Sequence, residues 1–365
     1  MSDPDRLLMT PGPTELPPEV REAMGRRIHN PDVEPEFAEF YRTLTDKLRR
    51  VYGTDDDLVV LGGEGILGLE AAVASLVDEG EEVLCLANGP YGEGFADFVE
   101  MHGGEPTVHP VPPGEPFDPE EVAREVGSEN YVAATMVHCE TPLGQLTPLE
   151  PVLEVLQDAG VLTVVDAVSS LGGTPVPVES IDVALGASQK AFSAPPGLTT
   201  VSASDAAWEK IEETDQDTFY TSLEPWHDVE PIEASPTALP YTHLVSNLYA
   251  LDAAVDLLLD EGIDRVFERH ETARARTLEL GAELGLEPFP GRELASPTVT
   301  AFEVPGRATA IQERLRSDHD VVMATGLGDH EEDVIRVGHM GYNATVERVE
   351  RAMDALGRVL RPSAG

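Results

Sequence analysis

Lysine is nearly missing from this chain. Of 365 residues only Lys47, Lys190 and Lys210 carry that side chain, and the basic residues number 24 against 68 acidic ones. A surface so poor in positive charge offers no basic face for a phosphate backbone, which excludes nucleic acid as a partner. Two cysteines, Cys85 and Cys139, are too few for a disulfide framework. Cys85 lies in the apolar run Val83-Leu84-Cys85-Leu86 and reads as a buried strand thiol. No apolar run approaches the roughly 18 residues that cross a bilayer, and no basic-then-apolar leader opens the chain. The expectation is therefore a cytoplasmic protein with no membrane partner. No cluster of His, Cys and Asp has metal-ligand spacing, so no metal is expected.

What the chain has in abundance is acid, for a formal net charge of −44. The acids form no tail. They recur as Asp55-Asp56-Asp57, as the run at 78–82 and again through 120–129. Such acid-rich, lysine-poor surfaces resemble those of halophilic archaeal proteins, which work in concentrated salt. In dilute buffer, repulsion between the acids should weaken the fold.

Apolar strand-like runs alternate with helical patterns. Leu58–Leu61, Glu82–Leu86, Tyr131–Val137, Val161–Val165 and Val183–Leu185 are continuous apolar strands, and Ala- and Leu-rich helical segments separate the first four. That pattern predicts an α/β fold whose mainly parallel sheet is covered on both faces. Ligands then bind at the carboxyl ends of the strands. Residues 212–242 turn irregular, with Trp226 among Pro225, Pro231, Pro236 and Pro240. A long helical stretch over 245–285 follows, then strands near 297–303 and 333–337 and a helix near 345–360. The division expected is an N-terminal segment, 1–15, near the active site, a large domain, 16–245, and a smaller C-terminal α/β domain, 246–365.

Polar residues collect at the strand ends. Lys190 follows an apolar strand in Ala187-Ser188-Gln189-Lys190-Ala191 and precedes a Pro195-Pro196-Gly197 turn, whereas Lys47 and Lys210 read as exposed helix positions. A buried lysine loses its proton readily and can form a Schiff base; the alternative is a third surface lysine. Asp166 ends a strand 24 residues earlier, where it can pair with a protonated pyridine nitrogen or simply cap a helix. Gly62-Gly63-Glu64-Gly65-Ile66 is a glycine-rich strand-to-helix turn of the kind that cradles phosphate. Tyr91, in Asn88-Gly89-Pro90-Tyr91-Gly92, either stacks on a flat cofactor or packs. His138-Cys139-Glu140-Thr141 lies at another strand end. Arg336, inside an apolar strand, needs a carboxylate, from a substrate or from the protein itself.

Taken together, these segments resemble class V aminotransferases, the alanine–glyoxylate and serine–pyruvate branch of fold-type I pyridoxal phosphate enzymes. The resemblance runs from residues 8–20 to Arg336–Gly341 and is most specific at 164–175 and 186–198. It implies a Schiff base on Lys190, Asp166 on the pyridine nitrogen and Tyr91 stacked on the ring. Thr141 would bond the ring hydroxyl. Gln189 and the Gly63–Ile66 turn (Gly63, Glu64, Gly65, Ile66) would meet the phosphate. Gly12 and Arg336 would bind substrate, and Thr242 would reach the phosphate of the other subunit in a homodimer with shared active sites.

Three departures qualify the resemblance. Glu64-Gly65-Ile66 stands where the family has Ser-Gly-Thr, Pro142-Leu143 where it has Ser-Thr, and Gly94 where it has arginine. Several segments look closer to pyridoxamine–pyruvate aminotransferase, a relative that uses the unphosphorylated vitamin as a substrate. The expected activity is ping-pong transfer of an amino group from alanine or serine to pyruvate or glyoxylate, with pyridoxal 5'-phosphate as cofactor. The alternative makes pyridoxamine the amino donor. Glu64 itself has two readings. It is a helix-start charge turned outward, or it faces inward and occupies the anion's place.

Overall fold

A computed structural model describes residues 6–227, 229 and 239–361; Pro231 and Pro236 of the irregular stretch lie outside them. Seven strands form the central sheet: β1 (Asp57–Gly62), β2 (Glu82–Ala87), β3 (Glu105–Pro110), β4 (Tyr131–Val137), β5 (Leu162–Asp166), β6 (Val183–Ala187) and β7 (Leu198–Ala203). Their order across the sheet is β1-β7-β6-β5-β4-β2-β3. The pairs β2–β3, β2–β4, β4–β5 and β5–β6 are parallel. Only β7 runs against its neighbours, β1 and β6. The inner strands are buried almost throughout, which is why they read as unbroken apolar runs. β3 is an edge strand with alternating exposure, and its Pro-Thr-Val-His sequence gave no apolar signal.

Each carboxyl edge opens into polar chain. β1 leads through Gly63 and Glu64 into helix α1 (Gly65–Leu76), and β2 leads through Asn88 and Gly89 into α2 (Pro90–Met101). The stretch anticipated as one long helix is two, α3 (Val245–Glu261) and α4 (Ile263–Glu283). Gly262, with φ +89, breaks it between them. β8 (Val299–Glu303), β9 (Ala324–Thr325) and β10 (Val334–Gly338) make an antiparallel sheet, and α5 (Val346–Leu360) follows.

The apolar interior forms two large clusters. One runs from Val20 to Val266 and contains the buried face of α3. The other joins Leu7 and Met9 to residues between Ala273 and Val359. The N-terminal segment reaches the second cluster because Leu7–Leu8 pairs in parallel with Val321–Val322. Met9 extends the link, accepting the Gly338 N–H at 2.8 Å.

Lys47 and Lys210 are not exposed positions. Lys47 Nζ bridges Asp252 and Asp256 at 2.6 and 2.7 Å. Lys210 Nζ holds Glu81 at 2.9 Å and Asp78 at 3.3 Å. Their partners lie more than a hundred positions away, out of sight of local sequence context. Cys85 and Cys139 are both buried free thiols. Among the described residues no helix is long and apolar enough to cross a membrane.

Candidate active site

The turn after β6 is pinned from several sides. Ala194 N–H bonds Ser188 O at 2.9 Å, and Ser193 N–H bonds Lys190 O at 2.9 Å. Thr14 N–H bonds Gln189 O at 3.1 Å, and the Thr14 hydroxyl donates to Ser193 Oγ at 3.0 Å. The Lys190 side chain leaves this frame toward the N-terminal segment, where Nζ donates to Pro11 O at 2.9 Å. Gly12 packs so tightly on it that a Cβ there would lie 2.5 Å from Lys190 Cδ. Burial holds the Lys190 ammonium below the usual lysine range; Arg336 acts in the same sense, while Asp166, Cys139 and Glu64 oppose it.

Asp166 ends β5 as a buried carboxyl. Its Oδ1 accepts the Val168 N–H at 2.8 Å, the local turn bond anticipated for a capping aspartate. Among the described residues Oδ2 has no hydrogen-bond partner and stays available. Burial pushes this carboxyl up to about 6, against the Val168 N–H and the Lys190 charge. Tyr91, in the first turn of α2, shares the field of Asp166, Arg336, Glu140 and Glu64, and burial raises its phenol.

Arg336 projects from β10 and is buried. Its Nε donates to Thr325 O. Among the described residues no carboxylate lies within ion-pair distance of its guanidinium, so the internal salt bridge left open by the sequence is not formed. Burial lowers it to about 10.

Glu64 is exposed, and its carboxylate reaches the lysine turn. The Gln189 amide donates to Glu64 Oε2 at 3.2 Å. Gln189 Oε1 is buried and has no partner among the described residues. Gly63, Gly65 and Ile66 complete the turn, and α1 starts with no side-chain cap. Thr141 donates to Ser169 Oγ at the next strand end. Thr242 is not brought into this group within the chain: its hydroxyl donates to Asp32 at 2.9 Å from an exposed position.

Sequence reasoning assigned no role to Glu140. It is fully buried, its two carboxylate oxygens accept the Tyr91 and Gly92 N–H groups at 3.2 Å each, and burial pushes it up to about 8. The available signal was Gly89, a helix-start glycine with no side chain to cap α2.

A mainly parallel sheet with a depressed lysine and a buried aspartate at its carboxyl edge is the architecture of the fold-type I pyridoxal phosphate enzymes. The family model described as aminotransferase class V matches residues 7–351, and the chain belongs to that family, whose members depend on pyridoxal phosphate. It is 33% identical to an uncharacterized aminotransferase of Methanocaldococcus jannaschii, over 98% of this chain and 95% of that one. It is also 33% identical to the pyridoxamine–pyruvate transaminase of Mesorhizobium japonicum, over 96% and 90%. Among solved structures, an alanine–glyoxylate aminotransferase from Nostoc sp. superposes with a TM-score of 0.93 at 30% identity, over 99% of this chain and 97% of that one.

Proposed function

We propose that this aminotransferase moves an amino group between a small amino acid, alanine or serine, and pyruvate or glyoxylate, with pyridoxal phosphate bound at Lys190. The observation that carries the reading is the Lys190 amine itself, mostly buried, held below the usual lysine range and bonded to a backbone carbonyl, with no carboxylate pairing it among the described residues. The donor set suits the ring of the cofactor, with an amine to attach it, a free Asp166 oxygen for a ring N–H, and the Tyr91 face to stack on it. When bound, the cofactor supplies an electron sink for the carbon that loses its proton.

The chain's own residues do the rest. Lys190, whose amine burial shifts toward the neutral form, would join the cofactor's carbonyl with loss of water and, once displaced by the incoming amine, carry the proton from one carbon to the other. Asp166 keeps its partner nitrogen protonated. Arg336, with no protein carboxylate on its guanidinium, orients the substrate carboxylate through a two-pronged bond. Thr242, exposed beside the apolar Ile28 and Leu244, supports a homodimer in which it completes the partner's site. Two free thiols fit a cytoplasmic setting.

One observation favours the second reading, with unphosphorylated pyridoxamine as amino donor. One N–H of the Gln189 amide is taken by Glu64, which places a carboxylate acceptor beside the lysine turn, and Gln189 Oε1 is a second acceptor, buried and without a partner among the described residues. Acceptors suit the O–H of a hydroxymethyl group better than a phosphate, which brings further negative charge.

The test is to purify the protein, determine the mass of any bound ring compound, and compare Lys190→Ala. A bound pyridoxal-type compound in wild type, with turnover lost in the variant, supports the proposal. Full turnover by Lys190→Ala ends it.

A further inference from the structure

Helix α2 delivers Tyr91 to the site, yet nothing local holds its first turn. The N-cap is Gly89, which has no side chain, and Pro90 has no N–H. The orphan donors are therefore those of Tyr91 and Gly92. Glu140, 49 positions away, accepts both, one on each carboxylate oxygen. The arrangement also explains Gly89, because a Cβ there would sit 2.3 Å from Glu140 Cγ. Gly92 is equally constrained, since a Cβ would lie 2.9 Å from Ala87 Cα at the end of β2.

We propose that Glu140 is a positioning residue: by gripping the backbone of Tyr91 and Gly92 it fixes where the Tyr91 ring lies against the bound ring. This rests on the proposed function, because the ring it serves is the pyridoxal ring. The carboxylate has a second reason to sit there, since the positive end of a helix dipole stabilises an anion, more so when it is partly buried. Both bonds are stronger with the ionised form, which prevails above about pH 8, the value to which burial raises this carboxyl. A protonated carboxyl turns one oxygen into a donor facing an N–H, so the grip loosens on that side. Burial, with Asp166 and Glu93 nearby, works against ionisation, while the two N–H groups favour it. The grip is therefore a balance that a single atom change should upset. Glu140→Gln makes that change, keeping the shape and replacing one acceptor with an NH2 group.

The experiment measures the dissociation constants of pyridoxal and of pyridoxal phosphate by equilibrium dialysis in molar potassium chloride. It compares wild type, Glu140→Gln, Tyr91→Ala and the double variant. A control, Ser204→Ala, removes the side-chain cap of another helix, Asp205–Glu213, where Ser204 accepts the Ala207 N–H at 3.1 Å. The expected result is about tenfold weaker binding of the preferred ring compound in Glu140→Gln, equivalent to about 1.4 kcal/mol. That loss should vanish on the Tyr91→Ala background, and Ser204→Ala should lower the melting temperature without moving affinity. If Glu140→Gln does not fold, Gly89→Ala, which crowds Glu140 and leaves its carboxyl intact, should give the same loss. Unchanged affinity in the folded variant, or a loss that persists without Tyr91, overturns the positioning role. Wild type that binds neither compound overturns the proposed function as well, which separates the two failures.

Discussion

The Gln189 side-chain amide donates to a Glu64 carboxylate oxygen at 3.2 Å, across 125 positions of sequence. This bond orients a charge toward the place where the family's phosphate turn would meet an anion. Two unit charges about 4 Å apart repel by roughly 4 kcal/mol at an effective dielectric near 20. Glu64→Ser should therefore shift relative affinity from pyridoxal toward pyridoxal phosphate by tenfold or more. Dissociation constants for both compounds, in both proteins, give the ratio directly. An unchanged ratio removes the charge argument and with it the main support for the unphosphorylated substrate.

Asp166 should trade stability for chemistry. Its folded value is raised to about 6 from an ordinary 3.8, so ionisation of this carboxyl opposes folding. The penalty is absent below about pH 4 and complete above about pH 6. Asp166→Asn, which can still accept the Val168 N–H, should stabilise the ligand-free protein at pH 8. The gain is about 3 kcal/mol on the scale of 1.36 kcal/mol per pK unit, and it should shrink to nothing toward pH 4. Turnover should fall by a hundredfold or more in the same variant. Melting curves of the ligand-free pair across that pH range decide it; an Asn variant less stable than wild type at pH 8 contradicts the argument.

The other two lysines should matter for stability alone. Both are raised above the usual lysine value by their carboxylate partners, in spite of partial burial. A raised lysine stabilises the fold fully below its unfolded value, near 10.4, and loses that contribution as pH climbs through the folded one. Lys47→Met and Lys210→Met should each cost about 1 kcal/mol at pH 8, roughly one degree of melting temperature for a chain of this length, with the gap narrowing as pH climbs through the folded lysine value. Turnover per folded molecule should not change. A substantial fall in turnover for either variant would give these ion pairs a functional role that nothing in their geometry indicates.

The net charge of −44 should make the stability of the fold depend on salt. Screening lengths drop from about 10 Å at 0.1 M to about 3 Å at 1 M, which removes most repulsion across the surface. The melting temperature should rise steadily between dilute buffer and molar potassium chloride. A melt that is flat over this range would mean that the dispersed acids are already neutralised by local pairing.

Much of the fold and the core of the site were legible because their signals are local. A strand buried on both faces must be continuously apolar, so Tyr131–Val137 stood out to the residue. The polar residue that ends such a strand, as Asp166 does, marks the ligand edge. Lys190 stood out for a different reason, as one of only three lysines and the only one of them to follow an apolar strand. What escaped was whatever depends on distant partners. The direction of Glu64 is decided by Gln189, and the cap on α2 by Glu140. The antiparallel course of β7 is decided by its pairing with β1 and β6. None of these contacts leaves a periodicity or a spacing to read.

The N-terminal strap carries a consequence for biosynthesis. Pro11, whose carbonyl holds the Lys190 amine, sits in a segment anchored by Val321–Val322 and by the Gly338 N–H. A ribosome releases that segment well before its anchors, which lie far along the chain. The large sheet, complete by Ala203, can assemble long before the strap has anywhere to dock. The Lys190 amine therefore gains its anchored carbonyl partner only after Val321, Val322 and Gly338 have been made, so this part of the site is assembled by contacts between segments far apart in synthesis.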